Sequence, residues 1–250
     1  MPKFPLHWCL AILLAFTIAS CTTYNHLSSI ETERVTVSEE TQANVDEQIT
    51  AMIDPYKQQL DAKMDRVIGQ LNITLKKSKP EGTLNNWMTD IIHERAEHYH
   101  GKPIDFAIQN YGGIRVREIS AGSISVRKIY ELMPFDNKIV ILELDGKTMS
   151  LMLDNIASKG GMPVSKAIKM TIDTDQKPKD VLINGDPLDI NRTYTMALPD
   201  YVANGGGGCD FLKPLTQVET GWNVREAIID YLDTYKEEMS ATIEGRITKQ

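Results

Sequence analysis

The sequence is poor in cysteine, with three in 250 residues. Cys9 lies within an apolar N-terminal stretch, Cys21 follows it and Cys209 stands alone. A framework of bridges is excluded, and no intramolecular disulfide is expected. There is no excess of positive charge either. The formal net charge is −7, which gives no support to binding of a nucleic-acid polymer or an anionic membrane surface. An anionic ligand would therefore need a local basic site. The N-terminal apolar run, residues 10–18, is too short for a comfortable membrane-spanning helix, and no internal repeat is visible. What remains is ordinary globular composition, 42% hydrophobic and 24% charged, which excludes a fully disordered or fibrous chain.

Lys3 and His7 precede the apolar run, and Ile18-Ala19-Ser20-Cys21 closes it. This pattern predicts a secretory signal over residues 1–20. Small residues directly before a cysteine resemble a bacterial lipobox, with Ile18 in place of the usual Leu. The resemblance implies lipidation of Cys21 and a lipid-anchored protein of the bacterial cell envelope, periplasmic or surface-exposed. Residues 22–43 are rich in Ser, Thr and Glu and read as a flexible tether. The remaining residues, 44–250, are expected to form one domain.

Val45, Ile49, Met52, Ile53, Tyr56, Leu60, Met64 and Val67 recur at helical spacing. Pro55 interrupts them, so a start at Pro55 with Asp54 as cap is one reading. Residues 71–75 alternate as a strand does. Thr83 is placed to cap a helix ending near Tyr99. Residues 104–109 and 139–144 read as apolar strands. Asp145-Gly146 turns into a helix over residues 147–157. Strands are expected at 167–172, 181–183 and 194–198, with Asn184-Gly185 as a hairpin turn. A helix over 224–235 and a closing strand within 241–247 complete the pattern. Helices and strands mix without a strict βαβ rhythm, which points to an α+β fold of mixed sheets flanked by helices.

Three segments break the ordinary pattern. Asn110-Tyr111-Gly112-Gly113-Ile114-Arg115 follows a strand, and its glycines permit close backbone approach to a ligand beside the charged fork of Arg115. On local sequence alone, a glycine turn with a surface Arg fits equally well. In Leu132-Met133-Pro134-Phe135-Asp136-Asn137, Pro134 stiffens the backbone around Phe135, a residue for either the core or a stacking platform. Leu198-Pro199-Asp200-Tyr201-Val202-Ala203-Asn204 runs into the glycines 205–208, a ligand loop or a plain flexible one.

Together, in this order and spacing, these segments resemble the C-terminal domain of the 5'-nucleotidase family. Gly122-Ser123-Ile124 and the stretch Thr83-Leu84-Asn85-Asn86-Trp87-Met88-Thr89-Asp90 extend the likeness to about residues 45–245. The resemblance implies a domain that binds the nucleoside part of a substrate, with Phe135 and Tyr201 sandwiching the base. It implies Asn137 at the base edge, and Asn110 and Arg115 at the sugar and phosphate. Gly113 and Asn204 fall within the matching motifs. In the family a separate metallophosphatase domain performs the hydrolysis. Its Asp-x-His, Gly-Asn-His and Gly-His-x-His segments do not occur among these residues. No catalytic residue, metal ligand or cofactor is therefore expected in this chain, and divalent metals are expected only in a partner metallophosphatase. His93 and His98 are too far apart to share a helix face as zinc ligands, and read as exposed polar positions.

Two positions depart from the family pattern. Gly207 stands where a ribose-binding Asp is usual, and Pro80, next to Lys79, where a phosphate-binding Arg is usual. Asp210 is a candidate replacement for the first, and Cys209 reads as a space-filling thiol. Three functions remain open: the binding half of a split nucleotidase, a stand-alone module for a nucleoside or another flat ring, and a scaffold lipoprotein without a working pocket.

Overall fold

A computed structural model describes residues 29, 31, 32, 34, 46–235 and 237–250. The leader, Cys21 and most of the tether lie outside the described residues. The chain divides into two compact units, Met1–Met52 and Ile53–Gln250. In the first, the described structure is chiefly the opening of helix α1 (Glu47–Met64). Asp46 Oδ1 accepts the N–H groups of Gln48 and Ile49 at 2.8 and 3.2 Å. This cap starts the helix well before Pro55, which stands inside it and simply lacks an N–H to donate. The expected apolar stripe is present but largely uncovered: no residue of α1 is buried, and Met64 alone among its apolar residues packs partly against a core. No described helix is long and apolar enough to cross a membrane.

The second unit continues with β1 (Val67–Leu71), β2 (Leu75–Lys76), α2 (Thr83–His100), β3 (Phe106–Ala107), β4 (Glu118–Ile119), β5 (Gly122–Ser125) and α3 (Val126–Leu132). Then come β6 (Lys138–Leu144), α4 (Gly146–Ser158), β7 (Ile168–Ile172), β8 (Pro178–Ile183), β9 (Asp186–Pro187) and β10 (Tyr194–Pro199). The single turn α5 (Asp200–Ala203), β11 (Val218–Asn223), α6 (Val224–Thr234) and β12 (Ile247–Lys249) finish it. The central sheet has the order β11-β6-β10-β3, and a second has β12-β7-β8-β9. Pairs β1-β5 and β2-β4 complete the mixed α+β architecture.

The near-continuous apolar run of β6 has a simple cause: the central sheet is covered on both faces. Ile139, Ile141, Ala107 and Ala197 point into a core built with α2, α3 and α6. Val140, Leu142, Leu144, Met196 and Leu198 point into the other, built with α4 and the second sheet. The period of two along a strand thus sorts neighbouring residues into different cores. The chain's end is tied back by charge. Arg246, 1% exposed, bonds both carboxylate oxygens of Asp90 at 2.8 and 2.6 Å, and Glu81 accepts from the backbone of Glu244 and Arg246.

Several local expectations shift. Val67 leaves the helix pattern for β1, and the strand expected over 71–75 breaks, because β1 pairs with β5 while β2 pairs with β4. Thr83 is the first helical residue rather than the cap, its hydroxyl taken by the N–H of Lys76. The closing strand lies later, at β12, where it runs parallel to β7.

Candidate nucleotide-binding site

The topology brings the three unusual segments together. β3 runs parallel to β10, so the ends of both lie at one edge of the sheet. β6 is antiparallel to β10, with Ile139 opposite Pro199, so its beginning lies at that same edge. The residues after β3, before β6 and after β10 therefore converge there. They form a cleft of about 300 Å³ lined by Asn110, Gly112, Gly113, Arg115, Phe135, Asn137 and Tyr201.

Of the residues singled out from sequence, Asn110, Gly113, Arg115, Phe135, Asn137 and Tyr201 line this cleft. Asn204 does not: its Oδ1 accepts from Gln217 Nε2 at 3.0 Å, outside the cleft. Phe135 and Tyr201 are 39% and 51% exposed, unlike any core aromatic of this chain. Apolar rings held in water at a concave site suit stacking against a flat ligand. The Arg115 guanidinium lies 5.7 Å from the Phe135 ring centre and donates to Gly112 O at 3.3 Å.

The floor of the cleft explains one glycine. A Cβ on Gly113 would sit 2.7 Å from Gln109 Nε2 and 2.9 Å from Asn110 Oδ1. Gln109 is fully buried, donating to Met133 Sδ at 3.5 Å, while its Oε1 and Asn110 Oδ1 have no hydrogen-bond partner among the described residues. Unsatisfied buried acceptors are unusual in a folded interior.

The loop carrying Phe135 is held from behind by Arg225, which the sequence reading missed. Its guanidinium donates to Phe135 O at 3.2 Å and Asp136 Oδ1 at 2.6 Å, and covers the Tyr130 ring at 4.2 Å. Burial disfavours that charge, but the carboxylates of Asp136 and Glu226 more than compensate and hold its pKa above the ordinary value. Asn137 O accepts from the Val224 N–H at 2.8 Å, so α6 fixes both ends of the loop. No local signal could reveal a partner 89 residues away.

On the opposite wall, Tyr201 packs against the glycine run. A Cβ on Gly206 would meet its ring at 2.4 Å. Gly205, Gly207 and Gly208 have φ of +91°, +67° and +76°, the left-handed region that favours glycine. Asn155 Nδ2 ties the run to α4 through Gly208 O at 3.0 Å. Cys209 is buried beneath it, and that burial pushes its thiol pKa up, as suits a space-filling residue. The described residues contain no group of three or more His, Cys, Asp or Glu placed to hold a metal ion. His93 corrects an expectation: it is half-buried, with Nε2 2.7 Å from Ile104 O.

Residues 62–214 match the family described as 5'-nucleotidase, C-terminal domain. The chain belongs to this family. Protein UshA of Escherichia coli is 29% identical over 210 residues, covering 81% of this chain and 37% of that protein. A 5'-nucleotidase of Vibrio cholerae is 28% identical over 178 residues, covering 66% of this chain and 32% of that one. The solved 5'-nucleotidase precursor of Thermus thermophilus superposes with a TM-score of 0.68 at 29% identity, over 81% of this chain and 42% of its own. Its likeness bears out the α+β expectation. The chain thus spans well under half the length of each of these relatives.

Proposed function

We propose that this chain is the nucleotide- or nucleoside-binding half of a 5'-nucleotidase-type phosphoesterase acting in nucleotide catabolism. Metal-dependent hydrolysis would come from a separate metallophosphatase chain, which holds the divalent metals. The observation that carries this reading is the convergence of Asn110, Gly113, Arg115, Phe135, Asn137 and Tyr201 on one cleft. Phe135 and Tyr201 take the faces of the base, Asn137 its edge, and Asn110 and Arg115 the sugar and phosphate. The names of the relatives, nucleotidases among them, support a nucleotide as ligand. The chemistry of this half is positional. It holds the nucleoside so that the phosphoester meets the partner's metals in one orientation, which makes a bimolecular encounter effectively unimolecular.

In this proposal residues 1–20 are removed, lipidated Cys21 anchors the chain in the cell envelope, and residues 22–43 tether domain 44–250. Replacing Cys21 by Ser is expected to release the protein from the membrane fraction. The division of labour is tested by turnover of AMP with manganese or magnesium. The purified chain alone should be inactive and should gain activity with its partner; metal-dependent turnover by the chain alone contradicts the proposal. A second reading, a non-catalytic binding module or scaffold, is favoured by Gly207, where the chain carries no carboxylate for a ribose.

A further inference from the structure

A second cavity, of about 480 Å³, lies between α2, the end of α6 and the returning chain of residues 238–246. It shares no lining residue with the base cleft. Its charge is lopsided. Asp90, Glu94, Glu97, Glu238 and Glu244 line it, against only Lys166 and Arg246. Arg246 is already paired with Asp90 and Glu244, at 2.6 and 2.8 Å. Burial, then the charge of Glu94, push the hydroxyl pKa of Tyr231, another lining residue, up to about 12. The field in the cavity therefore favours a positive occupant.

The rings narrow the kind of cation. Beside the cavity the chain already holds a guanidinium of its own. Arg95 lies 5.3 Å from the centre of the Tyr231 ring and pairs with Glu94 and Asp230 at 2.9 and 3.0 Å. Tyr235 stacks on Tyr231, with ring centres 5.3 Å apart and planes 12° from parallel. Tyr235 lines the cavity, is 37% exposed and has no cation over its ring among the described residues. Glu238 lines the cavity too and makes no ion pair among the described residues. A ring and a carboxylate, the features that hold Arg95, thus recur next to it.

A third observation concerns the other pole of the occupant. Trp87, 5% exposed, lines the same cavity, and its indole N–H has no acceptor among the described residues. A buried donor without an acceptor is unusual in a folded interior. Lys166, like Glu238, makes no ion pair among the described residues.

We propose that this cavity binds an arginine, free or within a peptide, with its guanidinium on the Tyr235 ring against Glu238. Its carboxylate or main-chain carbonyl supplies the acceptor that Trp87 and Lys166 lack. A guanidinium is planar and weakly hydrated, so it stacks on a ring and pairs with a carboxylate at once. The site is separate from the base cleft and stands or falls apart from it.

The test is calorimetric titration of arginine, N-acetylarginine amide, citrulline and adenosine into the full chain. Citrulline replaces the guanidinium with a neutral urea of similar shape. Arginine or its blocked amide is expected to bind saturably, more weakly as salt rises, and citrulline is not. Tighter binding of the blocked amide assigns a peptide as the source, and tighter binding of arginine the free amino acid. Tyr235→Leu should weaken that binding about two- to fivefold, the range of an exposed cation–π contact. Glu238→Gln, which breaks no ion pair, should weaken it severalfold and guards against a folding defect in the first variant. Adenosine affinity should be unchanged in both. Citrulline binding as tightly as arginine overturns the proposal, as does arginine affinity unchanged in both variants. Failure of both arginine and its amide to bind at millimolar concentration overturns it as well, whatever adenosine does.

Discussion

The two walls of the cleft are built on opposite principles. The wall of Asn110, Gly113 and Phe135 is shaped from behind by buried polar groups: Gln109 beneath the floor, and Arg225 gripping the loop carbonyls. The wall of Tyr201 is shaped by missing side chains, with the ring resting on Gly206 and the backbone turned through left-handed glycines. In the proposed function the first wall sets where a ligand lies. The second leaves the site without a carboxylate at Gly207. Substitutions at Gly113 or Arg225 should therefore disturb geometry and stability together, and Gly207→Asp should act chiefly on ligand preference.

Removing the rings should have the largest effect on binding. Phe135→Ala and Tyr201→Ala are each expected to cost about 1–3 kcal/mol of adenosine affinity by calorimetry, with little change in melting temperature, since both rings are exposed. Arg225→Met tests the support from behind. Its lost hydrogen bonds to loop carbonyls and to Asp136 should cost about 1–3 kcal/mol in urea unfolding and weaken adenosine binding as well. Gly113→Ala forces its new methyl onto Gln109 and Asn110 and should cost about 1–3 kcal/mol of stability through overpacking. The mildest change is Gly207→Asp. It should raise adenosine affinity by up to about tenfold, since a charged hydrogen bond to ligand is worth about 1.5–3 kcal/mol before the strain of a positive φ is subtracted. A fall in melting temperature for Gly207→Asp as large as that for Gly113→Ala would erase the contrast between the walls.

Much of the fold was legible because the signals were local. Asp145-Gly146 turns into α4 as expected, and Asp145 caps the helix by accepting the Thr148 N–H at 2.8 Å. Asn184 and Gly185, at φ of +55° and +90°, make the hairpin between β8 and β9. The cleft residues were legible because glycine and proline punctuate each segment. What escaped depends on distant partners. Pro55 marked a helix start only until Asp46 supplied an earlier cap. Arg225 and Arg246 carry no local signal, and both are nearly buried against carboxylates far away in sequence. His93 sits on a helix face whose burial is set by the Ile104 carbonyl, which periodicity cannot reveal. Asn204 shares the motif of Tyr201 but ends one helical turn, and its side chain turns to Gln217 instead.

The central claim is that the cleft grips a flat ring between Phe135 and Tyr201. Calorimetric titration of adenosine into the chain, alongside the Phe135→Ala and Tyr201→Ala variants, tests it most directly. The account predicts saturable binding that either substitution removes or weakens at least roughly fivefold, the lower edge of the stacking range. Affinity unchanged in both variants, or no binding at millimolar adenosine, would contradict it.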